Sequence, residues 1–180
     1  MTQFIQSWLK YIGNYGPFIL FVSSVFFIWN SRKSSMLNYY VFGIFLSGVI
    51  NVVLKLLIRQ PRPSDDKQKF DLTLRSDRRM FIFDNGVPYD VFGMPSGHAQ
   101  SIGFSLVFVF LTIPNNSFRM FCIAISLITL WQRVHYNHHT VLQVFIGTVV
   151  GGLFAYFIFC LSRKNIAGVI KEKFDDNASL

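Results

Sequence analysis

The stretch Asn38–Ile58, NYYVFGIFLSGVINVVLKLLI, decides the fold because it is apolar over the length that a membrane-crossing helix needs. A membrane core about 30 Å thick requires roughly 20 such residues in one helix. Four further stretches qualify to different degrees, and these are Gly13–Trp29, Met94–Ile113, Phe118–Trp131 and Thr140–Leu161. The fourth span is the shortest and needs part of the following segment to cross. We therefore predict an all-α, polytopic membrane helix bundle with about five transmembrane helices.

The N-terminal segment has a different pattern, with apolar residues on one helical face only: Phe4, Ile5, Trp8, Leu9 and Ile12. Such a face is typical of a helix that lies in the membrane interface, so we predict an N-terminal interfacial helix before the first span. Pro17 is expected near the start of that span, where proline is tolerated. We treat residues 1–180 as a single membrane domain, with its motifs between residues 55 and 143 and one long polar loop over residues 59–91.

The composition narrows the function classes. The chain has 17 Lys and Arg against 9 Asp and Glu, a formal charge of +8, but 52% of its residues are hydrophobic. This hydrophobicity excludes intrinsic disorder. A basic chain often binds nucleic acid or an anionic membrane surface. Since the spans leave no soluble basic face, we exclude nucleic acid and expect membrane lipids as partners.

Two cations follow the strongest span. Lys55 lies near its end, where an ionisable residue is a functional hypothesis by default and snorkelling to the interface is the alternative. Arg62 comes seven residues later, between Pro61 and Pro63. Seven residues are about two helical turns, so we expect both cations on one helix face before proline ends the helix.

The sequence Pro95-Ser96-Gly97-His98 opens the third span. Serine is a good N-cap, so a plain helix start is one interpretation. The other is a phosphate site, because a helix N-terminus offers free N–H groups and a positive dipole end. Gly97 would let an anion approach the backbone closely, and His98 can supply a proton near neutral pH.

A third polar group joins the fourth and fifth spans. It contains Arg133, His139 and Gln143, and the last two are four residues apart, so they share one helix face. A zinc cluster of His135, His138 and His139 is an alternative that lacks an accompanying carboxylate or cysteine. All three polar groups fall on the same side of the membrane when the spans alternate. Together they describe a site for a phosphoryl group.

These motifs, in this order, resemble the type 2 phosphatidic acid phosphatase superfamily: Lys55-x6-Arg62-Pro63, Pro95-Ser96-Gly97-His98 and Arg133-x5-His139-x3-Gln143. In that family the third motif usually begins with Ser-Arg and ends in aspartate, where this chain has Gln132 and Gln143. The dolichyl diphosphate phosphatases of the superfamily are similar in the residues around the motifs, namely Met94, Gln100 and the string His139-Thr140-Val141-Leu142-Gln143-Val144.

The resemblance implies a two-step phosphoryl transfer without metal or cofactor. It implies that His139 is the nucleophile and forms a phosphohistidine. His98 would protonate the leaving oxygen and later activate water, and Gln143 would accept the ring N–H of His139. The residues expected to hold the phosphate oxygens are Lys55, Arg62, Arg133, Ser96 and Gly97.

The resemblance also implies a substrate class, a lipid diphosphate such as polyprenyl or dolichyl diphosphate, which would be hydrolysed to the monophosphate. Phosphatidate and phosphatidylglycerol phosphate are alternative substrates. A neutral amide stabilises a cationic imidazole less well than a carboxylate does, so a catalytically weak lipid-phosphate binder is the third alternative. The oligomeric state stays open.

The distribution of cations indicates which side of the membrane each end of the bundle faces. The side opposite the motifs carries Arg32, Lys33, Arg119, Arg163, Lys164, Lys171 and Lys173 in short segments. The positive-inside rule places that side in the cytosol. In a eukaryotic cell we therefore expect a multi-pass protein of the endoplasmic reticulum membrane, with its site facing the lumen. The glycosylation sequons at Asn115 and Asn177 would then stay unmodified.

Overall fold

The computed structural model describes residues 2–31, 33–63, 70, 71, 75, 81–84 and 87–176. Five helices and two short strands lie within them, in the order α1 (Thr2–Asn30), α2 (Ser34–Ile58), β1 (Phe81–Asp84), β2 (Val87–Asp90), α3 (Gly97–Thr112), α4 (Asn116–His135) and α5 (Val141–Asp176). Three helices, α1, α2 and α5, are long and apolar enough to cross a membrane, and α3 is a shorter apolar helix. The predicted helical membrane bundle is confirmed. The second sequon, at Asn177, lies outside the described residues.

The polar loop contains a feature that the sequence analysis did not predict. Strands β1 and β2 pair antiparallel, with Phe81 opposite Asp90. Immediately after β2, Phe92 forms a bridge with Pro61, and the Gly93 N–H donates to the Gln60 carbonyl at 2.7 Å. The segment before α3 is therefore hydrogen-bonded to the segment after α2.

The N-terminal residues do not form a separate interfacial helix, because residues 2–30 are one continuous helix with Pro17 in its interior. Glycine residues explain why α1 can pack closely against α4. Gly13 and Gly16 lie directly against the side chains of Gln132 and Thr129 of α4, where any Cβ would clash. Close packing along α4 therefore fixes the N-terminal half of α1 at the bundle.

Small residues also bring α3 and α5 together. A Cβ on Gly147 would lie 2.6 Å from the carbonyl oxygen of Ser96, and one on Gly151 would clash with the carbonyl of Gln100. In a membrane such small residues allow backbones to approach closely. This contact holds the start of α3 against the first turns of α5, where the second and third motifs lie.

The core and the outer surface are both apolar. Tyr40, Phe104 and Phe108 are fully buried and pack their rings together, and the Tyr40 hydroxyl bonds to the Ser105 hydroxyl at 2.8 Å. Large apolar side chains also face outward, among them Phe18, Phe42, Phe45, Leu57 and Leu153. Such an exposed apolar belt suits lipid as solvent.

Candidate active site

The polar residues of the three motifs lie at one end of the bundle, where α2 and α4 end and α3 and α5 begin. The Ser96 N–H donates to the Gln143 carbonyl at 3.1 Å, which joins the second motif to the third. Gln143 Nε2 donates to the Pro61 carbonyl at 2.9 Å, which joins the third to the first. The structure therefore brings the three motifs together, as their common side of the membrane predicts.

The first motif differs from its expected geometry. Helix α2 ends at Ile58 because Arg59 adopts a left-handed conformation, with φ of 49°, and its N–H closes the last turn on the Lys55 carbonyl. Arg62 is thus outside the helix, and the prediction that it shares a helix face with Lys55 is wrong. Both cations reach the same place by a different route, a non-helical turn after α2.

A carboxylate from the hairpin joins the two cations. The Lys55 ammonium and the Arg62 guanidinium both donate to Asp90 Oδ2, and the second distance is 3.2 Å. Asp90 Oδ1 accepts the Phe92 N–H at 3.1 Å, which fixes the carboxylate at the end of β2. Asp90 is not among the site residues predicted from the sequence. The one signal available was an acidic residue five positions before the second motif.

The turn after α4 places Arg133 beside His139. Asn137 adopts a left-handed conformation, with φ of 54°, and the Arg133 carbonyl accepts the N–H groups of His138 and His139, each at 3.1 Å. An asparagine in this conformation just past a helix end is a common C-cap. The six-residue spacing between the two motif residues is therefore a capped helix end that folds back on itself.

The ring of His139 is held through Nδ1. This nitrogen lies 2.9 Å from the Gly93 carbonyl oxygen and 3.3 Å from Gln143 Oε1. A carbonyl only accepts, so Nδ1 carries the hydrogen and Nε2 keeps its lone pair. The predicted contact with Gln143 is present, but the shorter contact is with Gly93, which the sequence analysis did not single out.

Gln143 is also part of the helix start of α5. Its N–H donates to Thr140 Oγ1 and its Oε1 accepts the Thr140 N–H, both at 3.2 Å. This reciprocal pair is a capping box. The amide Nε2 donates to Gln60 Oε1 at 3.0 Å and to the Pro61 carbonyl. Each polar atom of this buried side chain thus has a partner.

The surroundings of His139 keep its imidazole neutral. Burial, followed by the positive charges of Arg62, Arg133 and Lys55, lowers the pKa of His139 from 6.5 to about 3. Three cations therefore act on one histidine ring. A neutral imidazole with a free Nε2 is the form that a nucleophile requires.

Arg133 is buried, with only 6% of the residue exposed. Its Nη1 lies at the long distance of 3.5 Å from Gln132 Oε1, and its Nε has no hydrogen-bond partner within the described part of the chain. A buried guanidinium with unused donors is costly unless an anion or water supplies the missing partners. This donor set suits an oxyanion.

The second motif begins α3, as predicted. Ser96 is fully buried and its hydroxyl caps the helix by accepting the Ala99 N–H at 3.5 Å. A Cβ on Gly97 would lie 3.3 Å from Asn51 Oδ1, so this backbone approaches a polar side chain of α2 closely. Asn51 Nδ2 in turn donates to the Pro95 carbonyl at 3.2 Å and to Gln100 Oε1 at 2.8 Å.

His98 is half-buried and contacts an element outside the three motifs. Its Nε2 lies 3.1 Å from the Asn14 carbonyl oxygen of α1. Because a carbonyl only accepts, Nε2 carries a hydrogen and Nδ1 remains for proton exchange. Nothing in the local sequence indicated this role of α1, since the two residues lie 84 positions apart.

The zinc alternative requires His135 and His138 as well as His139. His135 is exposed and stacks on the Trp131 ring, with 4.5 Å between ring centroids. Among the residues that the structure describes, no three His, Cys, Asp or Glu side chains group as metal ligands. The zinc alternative for His135, His138 and His139 therefore has no geometric support.

The fold and the site define a membrane helix bundle with a buried histidine and three cations at one end. The sequence model of the PAP2 superfamily matches residues 36–167. The chain belongs to this superfamily, and the resemblance inferred from the three motifs is confirmed. The homologues of this chain are phosphatases that act on lipid phosphates.

Individual relatives agree with this family. The chain is 30% identical to a dolichyldiphosphatase from Saccharomyces cerevisiae over 73% of its own length and 52% of that protein. It is 34% identical to lipid phosphate phosphatase epsilon 1 of Arabidopsis thaliana over 75% of its length and 42% of that protein. The chain thus spans about half the length of these relatives.

A solved structure has the same fold. It is a PAP2-type phosphatidylglycerolphosphate phosphatase from Bacillus subtilis, which aligns with a TM-score of 0.59 over 89% of this chain and 78% of that one. The two sequences are 18% identical. At this identity the similarity supports the arrangement of helices and leaves the substrate open.

Proposed function

We propose that this protein is a lipid diphosphate phosphatase that hydrolyses a polyprenyl or dolichyl diphosphate to the monophosphate and inorganic phosphate. One observation carries the proposal: the buried ring of His139 lies at the same end of the bundle as the cations Lys55, Arg62 and Arg133, and burial and these charges lower its pKa. Cations and a neutral nucleophile around one point are what phosphoryl transfer needs, since most of its catalysis is positioning and charge stabilisation.

In the first step, His139 Nε2 attacks the terminal phosphorus and the bond from phosphorus to the bridging oxygen breaks. The cations take up the charge that develops on the phosphoryl oxygens. With the anionic diphosphate bound, His98 acts as the imidazolium: Nε2–H stays on the Asn14 carbonyl, and the second proton passes from Nδ1 to the leaving oxygen of the lipid monophosphate. In the second step His98 removes a proton from water, the water oxygen bonds to phosphorus, and the N–P bond breaks to release phosphate.

The glutamine at position 143 is compatible with this chemistry. The phosphorylated ring bears positive charge, and two oxygen acceptors face its Nδ1–H, the Gly93 carbonyl at 2.9 Å and Gln143 Oε1 at 3.3 Å. The backbone carbonyl supplies part of the stabilisation that aspartate gives in other members. A diphosphate, whose leaving group is good, requires less from this position than a monoester does.

A substrate panel tests the proposal. Purified protein in detergent is given a polyprenyl diphosphate, phosphatidate and phosphatidylglycerol phosphate, each with and without chelator, and phosphate release is measured. We expect turnover of the diphosphate to be fastest and insensitive to chelator. Preference for phosphatidate would favour the alternative that the similarity to a lipid phosphate phosphatase supports.

His139 and His135, which lie four residues apart, provide a matched pair of variants. His139→Ala should abolish turnover, whereas His135→Ala, which removes an exposed ring stacked on Trp131, should leave it close to wild type. Binding of the lipid without turnover by the wild-type protein would favour the non-catalytic alternative. Normal turnover by His139→Ala would remove this histidine from the nucleophile role.

We also propose that the site faces the extracytosolic side, the lumen if the protein lies in the endoplasmic reticulum. Support comes from the opposite end of the bundle, where Lys33 and Arg119 donate to the Thr112 and Phe110 carbonyls near the end of α3. Basic residues in short connections favour the cytosolic side. In a eukaryotic host Asn115 should therefore carry no glycan, and mass spectrometry of its peptide tests this.

A further inference from the structure

Asp90 occupies the place where an anion is expected. Its Oδ2 accepts from both Lys55 and Arg62, the two cations of the first motif. The carboxylate side chain is 20% exposed, while that of Lys55 is only 4% exposed. The described contacts thus show a carboxylate oxygen on the same donors that the proposed function assigns to a phosphoryl oxygen.

The electrostatics explain why an anion is needed here even without substrate. A buried ammonium without a partner is strongly destabilising, because it has lost its hydration and has no opposite charge in its place. Asp90 supplies the missing charge to Lys55, and it does so from a hairpin strand that is not part of α2. Two anions cannot share these donors at no cost, because like charges at hydrogen-bonding distance repel.

We propose that Asp90 is an internal competitor of phosphate, which holds Lys55 and Arg62 when no phosphoryl group is bound and leaves them when one binds. This proposal rests on the proposed function, since it takes the donors of the first motif as phosphate ligands. Each binding event then exchanges one anion for another. The exchange lowers the affinity of the site for inorganic phosphate and so favours release of this product.

Two aspartates allow a matched test. Asp90→Asn removes the competing charge, and Asp71→Asn removes an exposed carboxylate of the same loop. Each variant, as full-length protein in detergent, is titrated with inorganic phosphate and with orthovanadate while its thermal unfolding is followed. This readout requires binding but no turnover, so it separates the proposal from the proposed function.

We expect Asp90→Asn to unfold at a lower temperature than wild type without anion and to bind phosphate about tenfold more tightly, since one opposing charge is gone. Asp71→Asn should match the wild type in both respects. Unchanged or weaker phosphate binding by Asp90→Asn would overturn the proposal, because a merely positioning carboxylate predicts that result. If wild type binds no phosphate, binding gained by Asp90→Asn supports it and continued failure overturns it.

A measurement on the wild-type chain covers the case in which Asp90→Asn does not fold. A carbodiimide joins a carboxylate to an amine in contact with it, so it should link Asp90 to Lys55 in the absence of anion, as detected by mass spectrometry of the joined peptides. Saturating orthovanadate should suppress this product. A yield that orthovanadate does not reduce would show that Asp90 stays in place, which contradicts the exchange.

Discussion

The two halves of the site are built in opposite ways. On one side, His139 Nδ1 is hydrogen-bonded to the Gly93 carbonyl and to Gln143 Oε1, and each polar atom of the Gln143 side chain has a partner. On the other side, Arg133 Nε is buried without a partner in the described chain, and Lys55 relies on a carboxylate from the hairpin. The first half fixes the nucleophile, and the second keeps donors for a ligand.

Removing the guanidinium should harm the ligand half most. We expect Arg133→Ala to lower kcat/KM by about 10³-fold, since an arginine that stabilises transferring phosphate oxygens is worth 10³ to 10⁵ in kcat. Arg163→Ala, at an exposed position on α5, is the matched control and should retain wild-type turnover. Steady-state phosphate release measures both. A loss below fivefold for Arg133→Ala would mean that this guanidinium does not contact the reacting group.

A single methyl group should disturb the nucleophile half. A Cβ on Gly93 would lie 2.7 Å from Gln143 Nε2 and 2.9 Å from the Pro61 carbonyl oxygen, so Gly93→Ala must push the His139 acceptor out of place. We expect kcat to fall by about 100-fold, as misplacement near 1 Å can cost. Gly48→Ala adds its methyl group to open space and should be neutral. Equal activity of the two variants would contradict the role of the Gly93 carbonyl.

Adding a carboxylate to the nucleophile half should not help it. Gln143→Glu introduces the charge that other members of the superfamily carry, but it removes the two hydrogen bonds that Nε2 donates to Gln60 and Pro61. The buried acceptors then face a carboxylate, which costs about 1–3 kcal/mol. We expect kcat to fall by about tenfold rather than rise. Increased activity would show that the histidine contact outweighs the scaffold contacts.

The smallest expected effect concerns the protonation state of His139 at mildly acidic pH. Because burial and the three cations lower the pKa of His139 to about 3, its ring should remain neutral at pH 5, as ¹⁵N NMR of histidine-labelled protein reports. An unfolded chain binds this proton below pH 6.5, so acidification from 6.5 towards 3 destabilises the folded state. Arg62→Ala should raise this pKa. Protonation of wild-type His139 near pH 6.5 would show that the cations of the ligand half do not affect the charge of the nucleophile.

The sequence predicted the parts of the site that depend on local spacing. Helix periodicity brings His139 and Gln143 to one face, and apolar length locates the five helices. The prediction that Lys55 and Arg62 share a helix face was wrong because Arg59 adopts a left-handed conformation and ends α2 before Arg62. The positions of the prolines do not indicate this. Gly93, Asp90 and Asn14 were missed because their contacts join residues 28 to 84 positions apart. Such pairings depend on tertiary packing, and no periodicity records them.

The proposed mechanism requires that His139 carries the phosphoryl group during turnover. A polyprenyl diphosphate labelled with ³²P in its terminal phosphate is mixed with the enzyme, and the reaction is stopped in alkaline detergent, which preserves phosphohistidine. We expect label on the peptide that contains His139 in the wild type and none in His139→Ala. Phosphate release without label on that peptide, or with label on another residue, would contradict it.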